Sequence, residues 1–121
     1  LAGHHFPDLG PAVREMARVA RQRILVVDTV YLDERAEEAE RIRDPSHVRN
    51  RSEDEWRQLF VQAGLVVEEV RRIEQPIELD PWLRRTGCVG QEAARVRALL
   101  ADRIEGSLLR LDRVALRGRK G

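Results

Sequence analysis

Apolar positions fall in two distinct periods along this chain. Leu9, Val13, Met16, Ala17 and Ala20 recur at helical spacing, which predicts an amphipathic helix from about Asp8 to Ala20. Asp8 is its expected N-cap, and Pro11 is tolerable in the first turn. The run from Ile24 to Val30 is apolar and β-branched, broken only by Asp28 and Thr29. Such a run without alternation predicts a strand covered on both faces. Asp28 and Thr29 stand toward its C-terminal end, where ligands sit in open α/β sheets. From Asp33 to Arg43 charge dominates, and Ala36, Ala39 and Ile42 form only a thin apolar stripe. A mostly exposed helix is predicted there, with its charge run as a solvated face.

The segment "DPSHVRN" reads as a loop. Ser52 and Glu55 then form a capping box ahead of a helix whose buried stripe is Trp56, Leu59, Phe60 and Ala63. Gly64 is the expected stop, able to take the left-handed conformation. "LVVEEVRRI" predicts a strand, "PWLRRTG" a short helix ended by Gly87, and Gln91 to Ile104 a further helix carrying Val96, Leu99, Leu100 and Ile104. "SLLRLDRVALRGR" predicts a last strand. This is α/β alternation with about three strands. The first strand reads as central and needs neighbours on both sides; an open edge would invite pairing with another chain.

The 121 residues suit one small domain, 42% hydrophobic and 36% charged, with a net charge of +1. Basic and acidic residues interleave, so neither a nucleic-acid stripe nor a membrane-binding patch is indicated. Arg117 to Lys120 reads as a short solvated end. Cys88 is the single cysteine, which rules out an intrachain disulfide framework and a thiolate metal cluster. No apolar run is long enough to span a bilayer, and no basic-then-apolar leader opens the sequence, so a cytoplasmic location is expected. A start on Leu-Ala-Gly without an initiator Met reads as a truncated or processed beginning.

Taken in order, "GHHFPDLGPAVREMARVA", "RILVVDTV", "RDPSHVRNRSEDEWRQLFVQAGL" and "PWLRRTG" resemble the second half of class I S-adenosylmethionine-dependent methyltransferases. The nearest kind is the small-molecule enzymes of the ubiquinone/menaquinone-biosynthesis type. The resemblance is strongest over residues 2–65. It implies a Rossmann-like doubly wound sheet of order 3-2-1-4-5-7-6 whose last strand is antiparallel. "RILVVDTV" would then be strand five, "LVVEEVRRI" strand six and "SLLRLDRVALRGR" strand seven, inserted between them. Residues 1–121 would form a partial methyltransferase domain, from the end of strand four to strand seven. The family's Gly-rich cofactor loop and its ribose-binding acidic residue have no counterpart in this sequence. Two further departures are a helix-to-strand link, "RVARQRILVV", without Gly or Pro, and a short linking helix after strand five.

The resemblance implies S-adenosylmethionine as cofactor and a small-molecule methyl acceptor as partner, with no nucleic acid and no membrane. It places the His-His segment at the cofactor's sulfonium end and the substrate pocket. Leu1, Ala2 and His5 are the candidate cofactor contacts. His4, Asp28, Tyr31, His47 and Arg49 are the candidate substrate contacts, with the His47 loop over the pocket mouth. His5 and His47 are the candidate catalytic bases, since imidazole titrates near neutrality. Asp28 could instead cap a neighbouring helix, and no metal site is assigned. Trp56 and Phe60 are expected in the core, Trp82 is read as packing the short helix, and Cys88 as inert. The expected function is that of a fragment of a methyltransferase, inactive alone and dimeric through the open sheet edge. The alternatives are a non-catalytic self-associating α/β module, or a short natural protein with a different ligand.

Overall fold

The structure, a computed structural model, describes residues 3–121. After a single 3-10 turn at Gly3–His5 come α1 (Gly10–Val19), β1 (Arg23–Thr29), α2 (Glu34–Arg43) and α3 (Glu53–Gln62). They are followed by β2 (Leu65–Glu78), α4 (Leu79–Arg84), α5 (Gly90–Leu99), a 3-10 turn at Ala101–Arg103, β3 (Ile104–Glu105) and β4 (Leu108–Lys120).

The sheet order is β1-β4-β2, with β4 antiparallel to both neighbours. This is the arrangement expected for strands five, seven and six. The segment read as a solvated end is therefore the middle of the sheet: Arg117 pairs with Leu25 on one side and Glu69 on the other. Its arginines stay wet because alternate residues of a strand face opposite ways. Arg117 and Arg119 face Glu68, the extra residue of a bulge between Val67 and Glu69, together with Arg23.

Several boundaries differ from the sequence expectations. Leu9, not Asp8, is the N-cap of α1. Asp8 instead accepts from the Gly10 N–H at 2.9 Å, one step before the helix. The link from α1 to β1 needs no Gly or Pro, because Ala20 leaves the helix at φ −66°, ψ 140°, ordinary extended backbone. β2 runs on to Glu78 through Pro76, which lacks an N–H and is tolerated because β2 is an edge strand, with no neighbour on its outer side among the described residues. The helix expected over Gln91–Ile104 ends at Leu99, and Ile104–Glu105 turns back as a short fourth strand against Leu108 and Leu109. Gly106, at φ +60°, makes that turn.

Two apolar cores result. α1 and α3 lay Val13, Ala17, Trp56 and Phe60 on one sheet face, against Val26, Val114 and Leu116. α2, α4 and α5 enclose Trp82, Leu83, Val96 and Leu100 with Leu109. Leu9 is buried and Met16 packs on the first core, so the apolar stripe of α1 is covered within this chain. Leu25 does remain exposed on β1, and the edge of β1 away from β4 carries no strand among the described residues. No helix of the described residues is long and apolar enough to cross a membrane.

Candidate functional site

The His-His turn is held from three sides. The Arg51 guanidinium, 3% exposed, donates to the carbonyls of Gly3 at 2.6 Å, Phe6 at 2.5 Å and Arg49 at 3.0 Å. The His4 carbonyl accepts from the N–H groups of Val48 and Arg49, at 2.8 and 3.1 Å. Gly3 packs so tightly that a Cβ there would meet Asp28 Oδ2 at 2.7 Å and the Trp56 ring at 3.2 Å. The turn and the 44–52 loop are thus one knitted unit, over the C-terminal end of β1.

This unit joins His4 to Asp28. Nδ1 of His4 lies 3.2 Å from Asp28 Oδ1, with the carboxylate buried and the imidazole 29% exposed. Asp28 also accepts from the Thr29 N–H at 2.8 Å, so it caps no helix. The Asp28 hydrogen bond is the main reason the His4 pKa rises above its ordinary 6.5, with burial opposing it. An Asp–imidazole pair of this kind fixes the tautomer that leaves the other ring nitrogen free to take a proton. Because the folded value is raised, the pair stabilises the fold fully below pH 6.5, and that contribution fades as pH rises through the raised value. Asp28→Asn is expected to lower the His4 pKa, read from the imidazole Cε1 proton by NMR titration; an unchanged midpoint would show the pair is not coupled.

The other candidates are distributed unevenly. His5 Nδ1 faces Ser46, 2.9 Å from its hydroxyl and 3.0 Å from its carbonyl, and His5 Nε2 stands 3.8 Å from Asp44. The His5 ring leans on His4, with centroids 4.3 Å apart. His47 is buried in this chain, stacked on His4 at 5.5 Å between centroids, with Nε2 3.4 Å from Glu37 and 3.5 Å from Glu40. Tyr31 donates through its hydroxyl to Glu34 at 3.0 Å. Arg49 is clasped by Glu55 through both terminal nitrogens, at 3.1 and 2.5 Å. Leu1 and Ala2 lie outside the described residues.

The α2 charge run is not a solvated face throughout. Glu37 is 1% exposed and accepts from the Asn50 backbone N–H at 2.6 Å and from Asn50 Nδ2 at 3.1 Å. Glu40 accepts from the same Nδ2 at 2.5 Å, and burial pushes its carboxyl above the ordinary range. The loop after α2 folds back over the helix and carries His47 and Asn50 onto the two carboxylates. The available signal was the i, i+3 spacing of Glu37 and Glu40 beside the small residues Ala36 and Ala39, followed by a Pro-containing reversal.

S-adenosylmethionine does not fit the described residues alone. A nucleoside cofactor needs a glycine turn that brings backbone N–H groups against it, and a carboxylate for the ribose. Among the described residues the left-handed glycines are Gly64, Gly87, Gly90 and Gly106, none following a strand into a helix. The cavity beside the His-His turn, lined by Pro7, Leu9, Arg51 and Leu59, is about 150 Å³, below the range of small-molecule sites.

No profile of a known protein family matches the chain. The chain is 42% identical to the uncharacterized methyltransferase YcgJ of Bacillus subtilis, over 71% of this chain and 37% of the relative. It is 33% identical to the uncharacterized protein YafE of Escherichia coli, over 69% of this chain and 44% of the relative. It therefore spans less than half the length of these curated relatives. The crystal structure of YcgJ superposes with a TM-score of 0.84 at 30% identity, covering 98% of this chain and 60% of YcgJ. A Bacillus halodurans protein described as a candidate methyltransferase, BH2331, gives the same TM-score at 21% identity, covering 99% of this chain and 66% of that one, a likeness of fold.

Proposed function

We propose that this chain is the acceptor-side part of a class I S-adenosylmethionine-dependent methyltransferase of the ubiquinone/menaquinone-biosynthesis type, acting on a small molecule. The observation that carries the reading is the His4–Asp28 pair, held at the C-terminal end of β1 on a fold shared with proteins named as methyltransferases. When bound, the cofactor supplies the activated methyl group. This chain orients the acceptor and takes its proton: Asp28 anchors Nδ1 of His4, and Nε2 accepts from the nucleophile. His4 replaces His5 and His47 as the proposed base. His5 is turned to Ser46, and His47 is enclosed with two carboxylates.

The cofactor-holding half is not supplied by these residues, so the 121-residue chain alone is inactive in this reading. Its β1 edge, unpaired among the described residues, and the exposed Leu25 support the further proposal of a homodimer. A monomeric mass by analytical ultracentrifugation counts against it. For the chemistry, residues 1–121 joined to the N-terminal part of YcgJ are expected to transfer a labelled methyl group to a component of a small-molecule extract. His4→Ala is expected to lower kcat by about 100-fold, as loss of a general base does. Transfer undiminished by His4→Ala contradicts the assignment of the base.

A further inference from the structure

The cluster beneath His4 has a feature that hydrogen bonding does not explain. Glu37 is buried and Glu40 only 13% exposed, and neither carboxylate has a Lys or Arg within ion-pair distance among the described residues; their one ion-pairing partner there is His47. Arg43, on the same helix, donates to the Trp82 carbonyl and lies over its ring at 4.1 Å. Arg49 is taken by Glu55. Buried carboxylates are ordinarily paired with a cation or coordinate a metal, because isolated charge in the interior is strongly disfavoured.

The spacing adds to this. His47 Nε2 stands 3.4 and 3.5 Å from the two carboxylate oxygens, long for a charge-assisted hydrogen bond. The same distance matches the edge of a tetrahedron with metal–ligand bonds of 2.0–2.1 Å, which is about 3.3 Å. The three donor atoms lie within 4.8 Å of one another. Asn50, 4% exposed, holds the two carboxylates in place around the space between these atoms: its Nδ2 donates to Glu37 Oε2 at 3.1 Å and to Glu40 Oε2 at 2.5 Å, and its backbone N–H donates to Glu37 Oε1 at 2.6 Å. Such outer hydrogen bonds are what fixes metal-ligating carboxylates in orientation.

We propose that Glu37, Glu40 and His47, with a water as fourth ligand and Asn50 as the outer donor that orients the carboxylates, form a binding site for one divalent first-row transition metal ion of the zinc type. One imidazole with two carboxylates suits such an ion better than calcium or magnesium, which favour all-oxygen sets. The site ties α2 to the 44–52 loop, and through His47 it backs the His4 ring. It does not depend on the methyltransferase reading.

The test is calorimetric titration of zinc chloride into the chelator-stripped 121-residue chain. One saturable site per chain is expected, retained in His5→Ala and weakened in the Glu37→Gln/Glu40→Gln double variant by more than the roughly 100-fold that loss of a supporting residue costs. Cobalt(II) added to the unaltered chain is expected to give the intense visible absorption of a tetrahedral site, a readout that needs no variant to fold. Absence of saturable zinc binding, binding unchanged in the double variant, binding lost in His5→Ala, or no visible cobalt band each overturns the proposal.

Discussion

Arg51→Met is expected to destabilise the chain by about 3 kcal/mol in urea unfolding and to uncouple His4 from Asp28. The methionine keeps the apolar stem but leaves the carbonyls of Gly3, Phe6 and Arg49 without their buried donor. Each charge-assisted bond lost in the interior costs roughly 1.5–3 kcal/mol. The total stays near 3 because the turn can open and admit water. Opening the turn moves Gly3 away from Trp56 and Asp28, so the His4 pKa is expected to fall together with stability. Arg51→Lys is expected to recover part of the loss, since an ammonium reaches one carbonyl where the planar fork reaches several. A variant of unchanged midpoint and unchanged His4 titration would mean that the loop contacts at Val48 and Arg49 hold the turn by themselves.

Gly118→Ala is expected to cost about 2 kcal/mol, within the range for overpacking a tight core. A Cβ at this position would sit 2.7 and 2.8 Å from two ring atoms of Phe60. Neither side can give way easily. Phe60 is fully buried between α3 and the sheet, and β4 is paired at this point to Ile24 and Val67. Phe60→Leu in the same chain is expected to recover stability relative to Gly118→Ala alone, because the smaller side chain leaves the space the methyl group needs. Additive losses in the double variant, measured by thermal or urea unfolding, would place the strain elsewhere.

The two positions show where sequence reading reached and where it stopped. The strand order was legible because the family resemblance places the last strand between its predecessors; the expectation that β1 is covered on both faces was not met, since its residues alternate between buried and more exposed and Leu25 is 64% exposed. The capping box at Ser52 and Glu55 and the stop at Gly64 were legible because each is a local device with its own residue signature. Trp56 and Phe60 announced the first core by spacing alone. Gly118, by contrast, sat in a basic stretch whose composition suggests solvent. Only the pairing of β4 on both sides reveals that its glycine faces a ring. The α2 charge run misled for a related reason: composition reports what a helix carries, not what a later loop folds over it. Glu37 is buried by His47 and Asn50, which arrive 10 and 13 residues later. Arg51 is likewise committed by a turn 48 residues upstream. Long-range closure of this kind leaves no periodicity to read.

The His-His pair illustrates the same limit. The backbone of the 3-10 turn sends the adjacent histidines to different neighbours, His4 to Asp28 and His5 to Ser46, and their adjacency in sequence does not say which meets which. The histidine from the other loop, His47, completes the stack beneath His4.

Calorimetric titration of S-adenosylmethionine into the 121-residue chain tests the central claim most directly. If these residues supply the acceptor side and lack the cofactor-holding half, binding is expected to be weaker than a Kd of about 1 mM, with too little affinity to give a saturating heat signal. One-to-one binding with a Kd of about 1 μM would show that this chain holds the cofactor by itself, and would contradict the account.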